Sequence, residues 1–404
     1  MERKSKSQKK FSLASIYKKH FLSYLENPKK PITEDIFKAV NQTLACRTAR
    51  LGVNIYKCDA CNETKYILRS CKNRFCPRCG YADTQLWAKN LLDKLAPTPH
   101  HHIVLTLPAQ LRKIGLLNKT QFHSLLLKSA SECIMNWFAA KYNITPGIVN
   151  VLHTAGSDQK YHPHVHMLCS TGGLTPNLKF KKIPNSWYLI NQKFLSEKFR
   201  LYFKNGLLEL FNKGELKSEY QSESSFNKYL LQLDTVDWVV NVQPSLKNPQ
   251  HIVNYVGRYS KRTCLSEYNI IGMEGDYISF RHKNYRQVDH KGKAEIVVAR
   301  LHYRDFFARL FEHVPPKRFR SVRYYGVYTN CKIAALHAVL KRNPIAKKKT
   351  DWRSYQIKKT GQDPLCCKAC REEMEFKGEH YDDRPYKLRL QLQGVPEEEW
   401  SSLV

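Results

Sequence analysis

The stretch Tyr161-His162-Pro163-His164-Val165-His166 decides how this chain is interpreted. It places two histidines two residues apart inside an apolar run. Side chains two apart on a β-strand point to the same face, so both imidazoles could reach one cation. His162 and His166 would be ~13 Å apart along an extended chain, too far for one ion unless Pro163 bends the strand. The stretch therefore predicts a metal pair, His164 and His166, on a strand.

A third ligand for this metal must come from elsewhere in the chain. Two strand-like runs, 147–153 and 164–170, are joined by the polar turn Gly156-Ser157-Asp158, a pattern that predicts a β-hairpin. The hairpin would bring His153 beside the His164 strand. We infer His153 as the third ligand, with Gln243 and His251 as alternatives.

A second stretch, Tyr255-Val256-Gly257-Arg258-Tyr259, carries two tyrosines four residues apart. Tyrosines at this spacing are neighbours on one helix face, and Pro249 suits the first turn of such a helix. The surrounding cations Arg258, Lys261 and Arg262 suit a site that holds a phosphodiester. A free tyrosine titrates near ~10, so nearby cations would help to form the phenolate nucleophile. The alternative is that both tyrosines only pack the helix, since the chain has 23 of them.

Cysteines are concentrated between residues 58 and 79. Two Cys-x-x-Cys pairs are separated by fourteen residues, and they are Cys58/Cys61 and Cys76/Cys79. Zinc takes four thiolates in a tetrahedron, so this spacing predicts one structural Zn²⁺ site. Cys71 could replace one member of the set or be a buried free thiol. A further run, Cys366-Cys367-Lys368-Ala369-Cys370, could complete a site begun elsewhere or bind nothing.

The charge balance favours a polyanionic partner. The chain has 67 lysines and arginines against 35 acidic residues, a formal net charge of +32. A surplus of this size indicates nucleic acid rather than a merely basic protein. Arg74 and Arg78 lie among the cysteines, where they could contact DNA phosphates.

Composition limits the class of protein. With 404 residues, 42% hydrophobic and 12% aromatic, the chain is long enough for two or three modules and too apolar to be disordered. No apolar run reaches the ~18 residues of a membrane helix, and the N-terminus lacks the apolar core of a signal peptide. We expect a cytoplasmic protein with no membrane partner. In a reducing compartment, clustered cysteines indicate metal ligands rather than disulfides.

Periodicity and turn residues predict an alternation of helices and strands. The predicted helices are 34–51, capped by Thr33 and stopped by Gly52, then 83–95, 119–141, 190–212 and 302–313. Besides the hairpin, which Gly172-Gly173 would end, the predicted strands are 102–107, 238–242, 277–281, 294–299 and 322–328. Residues 1–30 read as a basic arm and 213–225 as a loop.

In this order, the motifs resemble those of the two-tyrosine HUH transposases of bacterial insertion sequences, the IS ninety-one family. The likeness runs from about residue 35 to 345. It includes the cysteine segment 70–79, the strand 103–108, the His153 and His164 segments, the paired tyrosines and the segment Val322-Arg323-Tyr324-Tyr325-Gly326.

The resemblance implies an α+β fold, in which an antiparallel-sheet HUH endonuclease core with packed helices follows a small zinc-binding domain. We expect a basic arm and zinc domain at 1–95, the core at 96–345 and a tail at 346–404. The resemblance implies that His164 and His166 hold Mg²⁺ or Mn²⁺ and that Tyr255 and Tyr259 become joined to DNA 5′ phosphates. It further implies rolling-circle-type transposition of single-stranded DNA, at element ends and target, in a bacterial cytoplasm and on the nucleoid.

Three other functions remain open at this stage, one of which is a simple metal-dependent hydrolase that would leave no protein–DNA adduct. A plasmid rolling-circle replication initiator or relaxase would use the same chemistry, although the zinc module and the Tyr324-Tyr325-Gly326 region argue against it. A zinc-dependent nucleic-acid-binding protein would lack catalysis. The sequence leaves open the DNA sequence recognised, the order in which the tyrosines act and the oligomeric state.

Overall fold

The protein is described from a computed structural model of the full chain. It describes residues 11–183, 189–246, 248–251, 253, 257, 264–289, 294–341 and 352–380. The chain divides into two units, one of Met1–Gly80 with Ile345–Val404 and the other of Tyr81–Pro344. The tail expected at 346–404 as a separate region thus falls into the first unit.

The described part of the first unit contains a three-stranded antiparallel sheet and three helices that lie wholly within the unit. The helices are α1 (Leu13–Glu26), α2 (Glu34–Ala45) and α10 (Trp352–Thr360), and the strands are β1 (Val53–Lys57), β2 (Thr64–Leu68) and β12 (Glu375–His380). The order in the sheet is β12-β1-β2, with Val53 opposite both His380 and Leu68. Residues 352–380 belong to this unit because β12 completes its sheet.

The start and end of α2 show which of its predicted limits is right. Thr33 caps the helix as predicted, since its hydroxyl accepts a hydrogen bond from the Ile36 amide at 3.4 Å. The helix ends at Ala45, six residues before the predicted end, because Cys46 adopts an extended conformation. Gly52, the predicted stop, instead follows a short 3₁₀ turn with φ of 92°.

The second unit is built on a six-stranded antiparallel sheet. Its strands are β3 (His100–Thr106), β4 (Thr145–Ala155), β5 (Tyr161–Leu174), β6 (Phe180–Lys182), β7 (Val240–Val242) and β11 (Val322–Gly326). The order is β11-β4-β5-β3-β7, with β6 paired to β5. The predicted β4–β5 hairpin is confirmed. It does not end at Gly172-Gly173 as predicted, because β5 continues to Leu174 and pairs there with β6.

Helices cover both faces of this sheet, and the side chains of β5 alternate between them. Val165, Met167 and Cys169 face a large core formed with α5 (Lys119–Tyr142) and α6 (Gln192–Asn212). Leu168 belongs to a second core, formed with α3 (Pro77–Lys94) and α9 (Ile333–Val339). His164 and His166 have the same parity as Leu168, so they lie on the second face.

The remaining elements of the second unit include a three-stranded sheet and short helices. The strands, in the order β10-β9-β8, are β8 (Ile270–Glu274), β9 (Tyr277–Val288) and β10 (Ala294–His302). The helices are α4 (Arg112–Leu117), α7 (Glu223–Gln232) and α8 (Tyr303–Glu312). The antiparallel α+β class is confirmed. No helix in the described part of the chain is long and apolar enough to cross a membrane.

Candidate active site and thiol clusters

Three histidines converge on the second face of the large sheet. The hairpin register places His153 directly opposite His164, and His166 lies two residues farther along β5. One ring nitrogen from each of the three lies within 4.8 Å of the others, and the His153 and His166 ring centroids are 4.1 Å apart. The structure therefore brings together the three residues that the sequence analysis selected, including His153.

A hydrogen-bonded chain behind His166 determines which of its nitrogens faces the centre. Gln243 Oε1, which can only accept, lies 2.9 Å from His102 Nδ1, so that nitrogen carries the proton. The bare Nε2 of His102 then accepts from His166 Nδ1 at 2.8 Å. This tautomer of His166 has its lone pair on Nε2, the atom suited to a metal. The side-chain oxygen of Gln243, an alternative ligand in the sequence analysis, is thus directed at His102 and supports His166 through it.

His164 is oriented by its own strand. Its Nδ1 donates to the backbone carbonyl of His162 at 2.7 Å, which also leaves the lone pair on Nε2. His162 does not join the three, as its distance along the strand predicted, and Arg112 Nη2 donates to its Nδ1 at 3.1 Å. His251, the other alternative ligand, is exposed and is not grouped with the three among the described residues.

The electrostatics of the site favour neutral imidazoles. Burial lowers the pKa of His164 to about 4 and that of His166 to about 2. Burial also lowers the pKa of His153 well below its ordinary value, with nearby histidines as further causes, and lowers the pKa of His102. All four are therefore neutral at pH 7, the state in which an imidazole can bind a metal.

The predicted catalytic tyrosines, Tyr255 and Tyr259, lie outside the described residues, as do Arg258, Lys261 and Arg262. Described neighbours in the same segment are informative. The Val253 amide donates to Pro249 O at 2.9 Å, which agrees with a helix that has Pro249 in its first turn. Val253 is buried in the core that contains Val151 and Leu168, on the face that carries the histidines. A Cβ on Gly257 would lie 3.1 Å from the Trp87 ring.

Eight cysteines form two separate thiol clusters in the first unit. Each cluster holds four sulfur atoms within 4.8 Å of one another, and the sets are Cys46/Cys71/Cys76/Cys79 and Cys58/Cys61/Cys367/Cys370. We call the first set the helix cluster and the second set the knuckle cluster. The predicted grouping of Cys58, Cys61, Cys76 and Cys79 around one ion is therefore wrong.

The correction has a simple topological cause. Cys76 and Cys79 lie at the beginning of α3, where Cys46, at the end of α2, approaches Cys79 to 3.5 Å between sulfurs. Cys58 and Cys61 follow β1, and the pairing of β1 with β12 brings Cys367 and Cys370 to them. Cys71, the alternative ligand, is a full member of the helix cluster.

Cys46 was not predicted as a ligand from the sequence, and the role of residues 366–370 was left open. A signal was present in the cysteine count, since five cysteines between 58 and 79 are one too many for one tetrahedral site. Adding Cys46, Cys367 and Cys370 gives two complete sets. Arg78, a predicted DNA contact, donates to the Cys46 carbonyl at 3.0 Å and is exposed. Burial lowers the pKa of Arg74 to about 10, so it stays charged at pH 7.

Comparisons with known proteins agree with this arrangement. A family model described as "Putative transposase" matches residues 147–335, which include the three histidines and both tyrosines. Another, described as "Transposase zinc-binding domain", matches residues 16–107. The chain belongs with the transposases of the IS ninety-one family. The resemblance stated from its motifs is confirmed.

Two curated relatives of this transposase are similar over most of their length. "Putative transposase y4qJ" of Sinorhizobium fredii (strain NBRC 101917 / NGR234) is 29% identical over 342 residues, 81% of this chain and 85% of that protein. "Transposase for insertion sequence element IS801" of Pseudomonas savastanoi pv. phaseolicola is 29% identical over 302 residues, 72% of this chain and 70% of that protein. No solved structure matches the chain.

The zinc-binding domain match also bears on the cysteines of this transposase. It contains all four members of the helix cluster, Cys46, Cys71, Cys76 and Cys79. Three of them are buried and Cys71 is half-buried, which suits a closed site that holds its metal for structure. Together, the match and the thiol geometry support structural zinc in the first unit.

Proposed function

We propose that this transposase nicks and rejoins single-stranded DNA through 5′-phosphotyrosine intermediates, in rolling-circle-type transposition of an insertion sequence. The convergence of His153, His164 and His166 carries the proposal. Three neutral imidazoles on a rigid hairpin can hold a cation, and the matched transposase family supplies DNA as the substrate class.

The donor set fits a divalent cation and favours Mn²⁺ over Mg²⁺. Mg²⁺ strongly prefers oxygen ligands in octahedral geometry, whereas a softer first-row ion accepts imidazole nitrogen more readily. His153, His164 and His166 would hold the ion through one ring nitrogen each. When bound, the cation would polarise the scissile phosphate and stabilise the charge that develops on it.

The tyrosines provide the nucleophile. In the proposed step the phenolate of Tyr255 or Tyr259 attacks the scissile phosphorus, a tyrosyl O–P bond forms and the P–O3′ bond breaks. The leaving oxygen takes up a proton to become a free 3′ hydroxyl. That hydroxyl later attacks a second phosphotyrosine and releases its tyrosine, so strands are rejoined without ATP. The burial of Val253 in the core beneath the histidine face supports a tyrosine segment next to this site.

Lysines and arginines elsewhere in the chain provide the affinity for single-stranded DNA. A net charge of +32 exceeds what one active site needs, and phosphate contacts by lysine and arginine account for salt-sensitive affinity. Arg74 and Arg78, with Arg258, Lys261 and Arg262 near the tyrosines, are proposed contacts. Binding and cleavage should therefore be separable by substitution.

The proposal is tested by incubating the purified protein with labelled single-stranded DNA from the element ends and Mn²⁺, followed by denaturing electrophoresis. We expect a covalent protein–DNA adduct. His164→Ala with His166→Ala should abolish the adduct and keep salt-sensitive binding. His162→Ala is the matched control, because His162 lies on the same strand but outside the histidine triad, which consists of His153, His164 and His166. This variant should retain most cleavage. Unchanged cleavage in the double variant would refute the metal role.

A further inference from the structure

The knuckle cluster has the sulfur geometry of a closed metal site. Its sulfur–sulfur distances are 3.3 Å for Cys58–Cys370 and 3.5 Å for both Cys61–Cys367 and Cys61–Cys370. A zinc ion with Zn–S bonds of ~2.3 Å gives tetrahedral edges of ~3.8 Å. A disulfide would need about 2.0 Å, and all four cysteines are free.

The two halves of the cluster repeat one backbone conformation. In the first, the Cys58 amide donates to Glu63 O at 2.9 Å and the Asn62 amide donates to Cys58 O at 2.8 Å, with φ of 62° at Asn62. This turn directs the sulfurs of Cys58 and Cys61 to one side, as a zinc knuckle does.

The same pattern recurs at Cys367. Its amide donates to Glu372 O at 2.8 Å, and the Arg371 amide donates to Cys367 O at 3.1 Å, with φ of 67° at Arg371. A left-handed conformation at a residue other than glycine is uncommon. Both turns have this conformation at the equivalent position, and their sulfurs lie together. The two turns are therefore matched halves of one site.

Contacts around the cluster hold these two turns together. Lys377 on β12 pairs with Asp59 at 2.9 Å, inside the first turn. Lys65 Nζ, on β2, donates to Pro364 O at 2.6 Å, just before the second turn. The Tyr56 and Phe376 rings pack edge to face across β1 and β12, with centroids 5.5 Å apart. Segments 306 residues apart in sequence are thus joined on both sides of the thiols.

We propose that the knuckle cluster binds a second structural zinc ion, which ties residues 352–380 to the β1–β2 hairpin. Of the knuckle cluster, the "Transposase zinc-binding domain" match, residues 16–107, contains only Cys58 and Cys61, and Cys367 and Cys370 lie beyond both matched regions. Four thiolates from two knuckles leave no open position, so the ion serves stability rather than catalysis. The inference does not depend on the chemistry proposed for the histidines.

Solvent exposure separates the two zinc sites. Cys61 is exposed in the knuckle cluster, whereas no member of the helix cluster is. A chelator therefore reaches the knuckle zinc first. We expect zinc release from the purified full chain in two phases, with the faster phase absent from Cys370→Ser.

The first experiment counts zinc by native mass spectrometry of the full chain. Cys370→Ser and Cys46→Ser should each lose one zinc relative to the wild type, a difference that any metal at the histidines leaves unchanged. Cys366→Ser is the matched control, since its sulfur contacts Arg371 O rather than the cluster, and it should lose none. An unchanged zinc count in Cys370→Ser would overturn the proposal.

A second experiment uses the wild type, so it does not depend on variants that fold. Purified protein is treated briefly with iodoacetamide and digested, and alkylation is mapped by mass spectrometry. Cys331 is exposed and outside both clusters, so it reports the rate of a free surface thiol. Cys61 is also exposed, but zinc should protect Cys61 and Cys370 by more than about tenfold until a chelator is added. Alkylation at the Cys331 rate before chelation, or a Cys58–Cys370 disulfide, would overturn the proposal.

Discussion

His102 Nε2 lies 2.8 Å from His166 Nδ1, and His102 Nδ1 lies 2.9 Å from Gln243 Oε1. His102 is on β3 and His166 on β5, so the contact crosses the strand pair at the centre of the sheet. The sequence gives no motif for His102, because the contact joins two strands that are 64 positions apart. We propose that His102 is a positioning residue, since it contacts His166 and would act on a bound metal only through that ring.

Replacing His102 should weaken metal binding without removing a ligand. His102→Asn should raise the Mn²⁺ concentration for half-maximal adduct formation by about 10–100-fold, because His166 loses the partner that fixes its ring and tautomer. Saturating Mn²⁺ should restore most of the activity. His162→Asn, on the same strand as His166 but outside the group of three histidines, is the control and should leave the Mn²⁺ dependence as it is. An unshifted Mn²⁺ titration in His102→Asn would contradict the positioning role.

Two buried histidines outside the triad should make the protein sensitive to acid. Burial lowers the pKa of His100 to about 4 and that of His123 to about 3. In the unfolded chain the pKa of each histidine is ~6.5, so below that pH the unfolded chain binds protons that the folded protein does not. Stability is therefore complete above pH ~6.5 and falls with pH towards the folded values. Between pH 6.5 and 5, the protonation of each histidine in the unfolded chain should lower the free energy of unfolding by about 2 kcal/mol.

Urea unfolding at pH 7.0 and pH 5.0 measures this loss. In the wild type His123 Nε2 lies 2.6 Å from the Tyr161 hydroxyl, a contact that His123→Gln can replace without a titrating group. The variant should be less stable overall but should lose about 2 kcal/mol less than the wild type between the two pH values. Equal losses in both proteins would show that His123 titrates normally when folded.

Gly173 should be intolerant of any side chain. A Cβ at this position would lie 2.1 Å from the Thr145 carbonyl oxygen, which is backbone of β4 and cannot rotate away. Gly173→Ala should therefore lower the free energy of unfolding by about 1–3 kcal/mol through strain in the β4–β5 pair. Gly272→Ala is the control, because its nearest contact would be Ser279 Cβ at 3.5 Å, and thermal unfolding of both variants gives the comparison. A stability like that of the control would contradict the close approach.

The β4–β5 hairpin that carries the three histidines could be predicted because its signals are local. Alternating apolar residues and a polar turn gave the strands of the hairpin, and the turn also set the register that pairs His153 with His164. Three residues of the site followed from that one inference. The predicted end of the hairpin at Gly172-Gly173 was wrong because glycines often end a strand, whereas here they allow neighbouring strands to approach closely.

The thiol clusters could not be predicted because their partners are remote. A Cys-x-x-Cys pair indicates a tight turn with two ligands and says nothing about which other turn it meets. That choice is made by the β1–β12 pairing, between segments that no local pattern connects. Helix α1 was not predicted for another reason. Its lysines indicated a basic arm, although Tyr17, Phe21 and Tyr24 are buried at helical spacing.

The tyrosines distinguish covalent strand transfer from every non-covalent alternative. Tyr255 and Tyr259 are one helical turn apart in the predicted helix, so both phenols can approach one phosphate. Tyr255→Phe or Tyr259→Phe alone should retain some single cleavage, because the other hydroxyl can attack first. Complete transposition should fail in both, since rejoining requires two covalent ends at once. An assay of cleavage and an assay of transposition on the same variants separate the two steps.

The double Tyr255→Phe and Tyr259→Phe variant gives the decisive result. It should form no adduct, yet it should bind Mn²⁺ and single-stranded DNA as the wild type does, because neither hydroxyl is a ligand and the phosphate contacts come from lysines and arginines. Mass spectrometry of the adduct trapped with wild-type protein should place the DNA on Tyr255 or Tyr259. An adduct on a serine or another tyrosine, or cleavage that survives in the double variant, would overturn the assignment and favour a metal-dependent hydrolase, which leaves no protein–DNA bond.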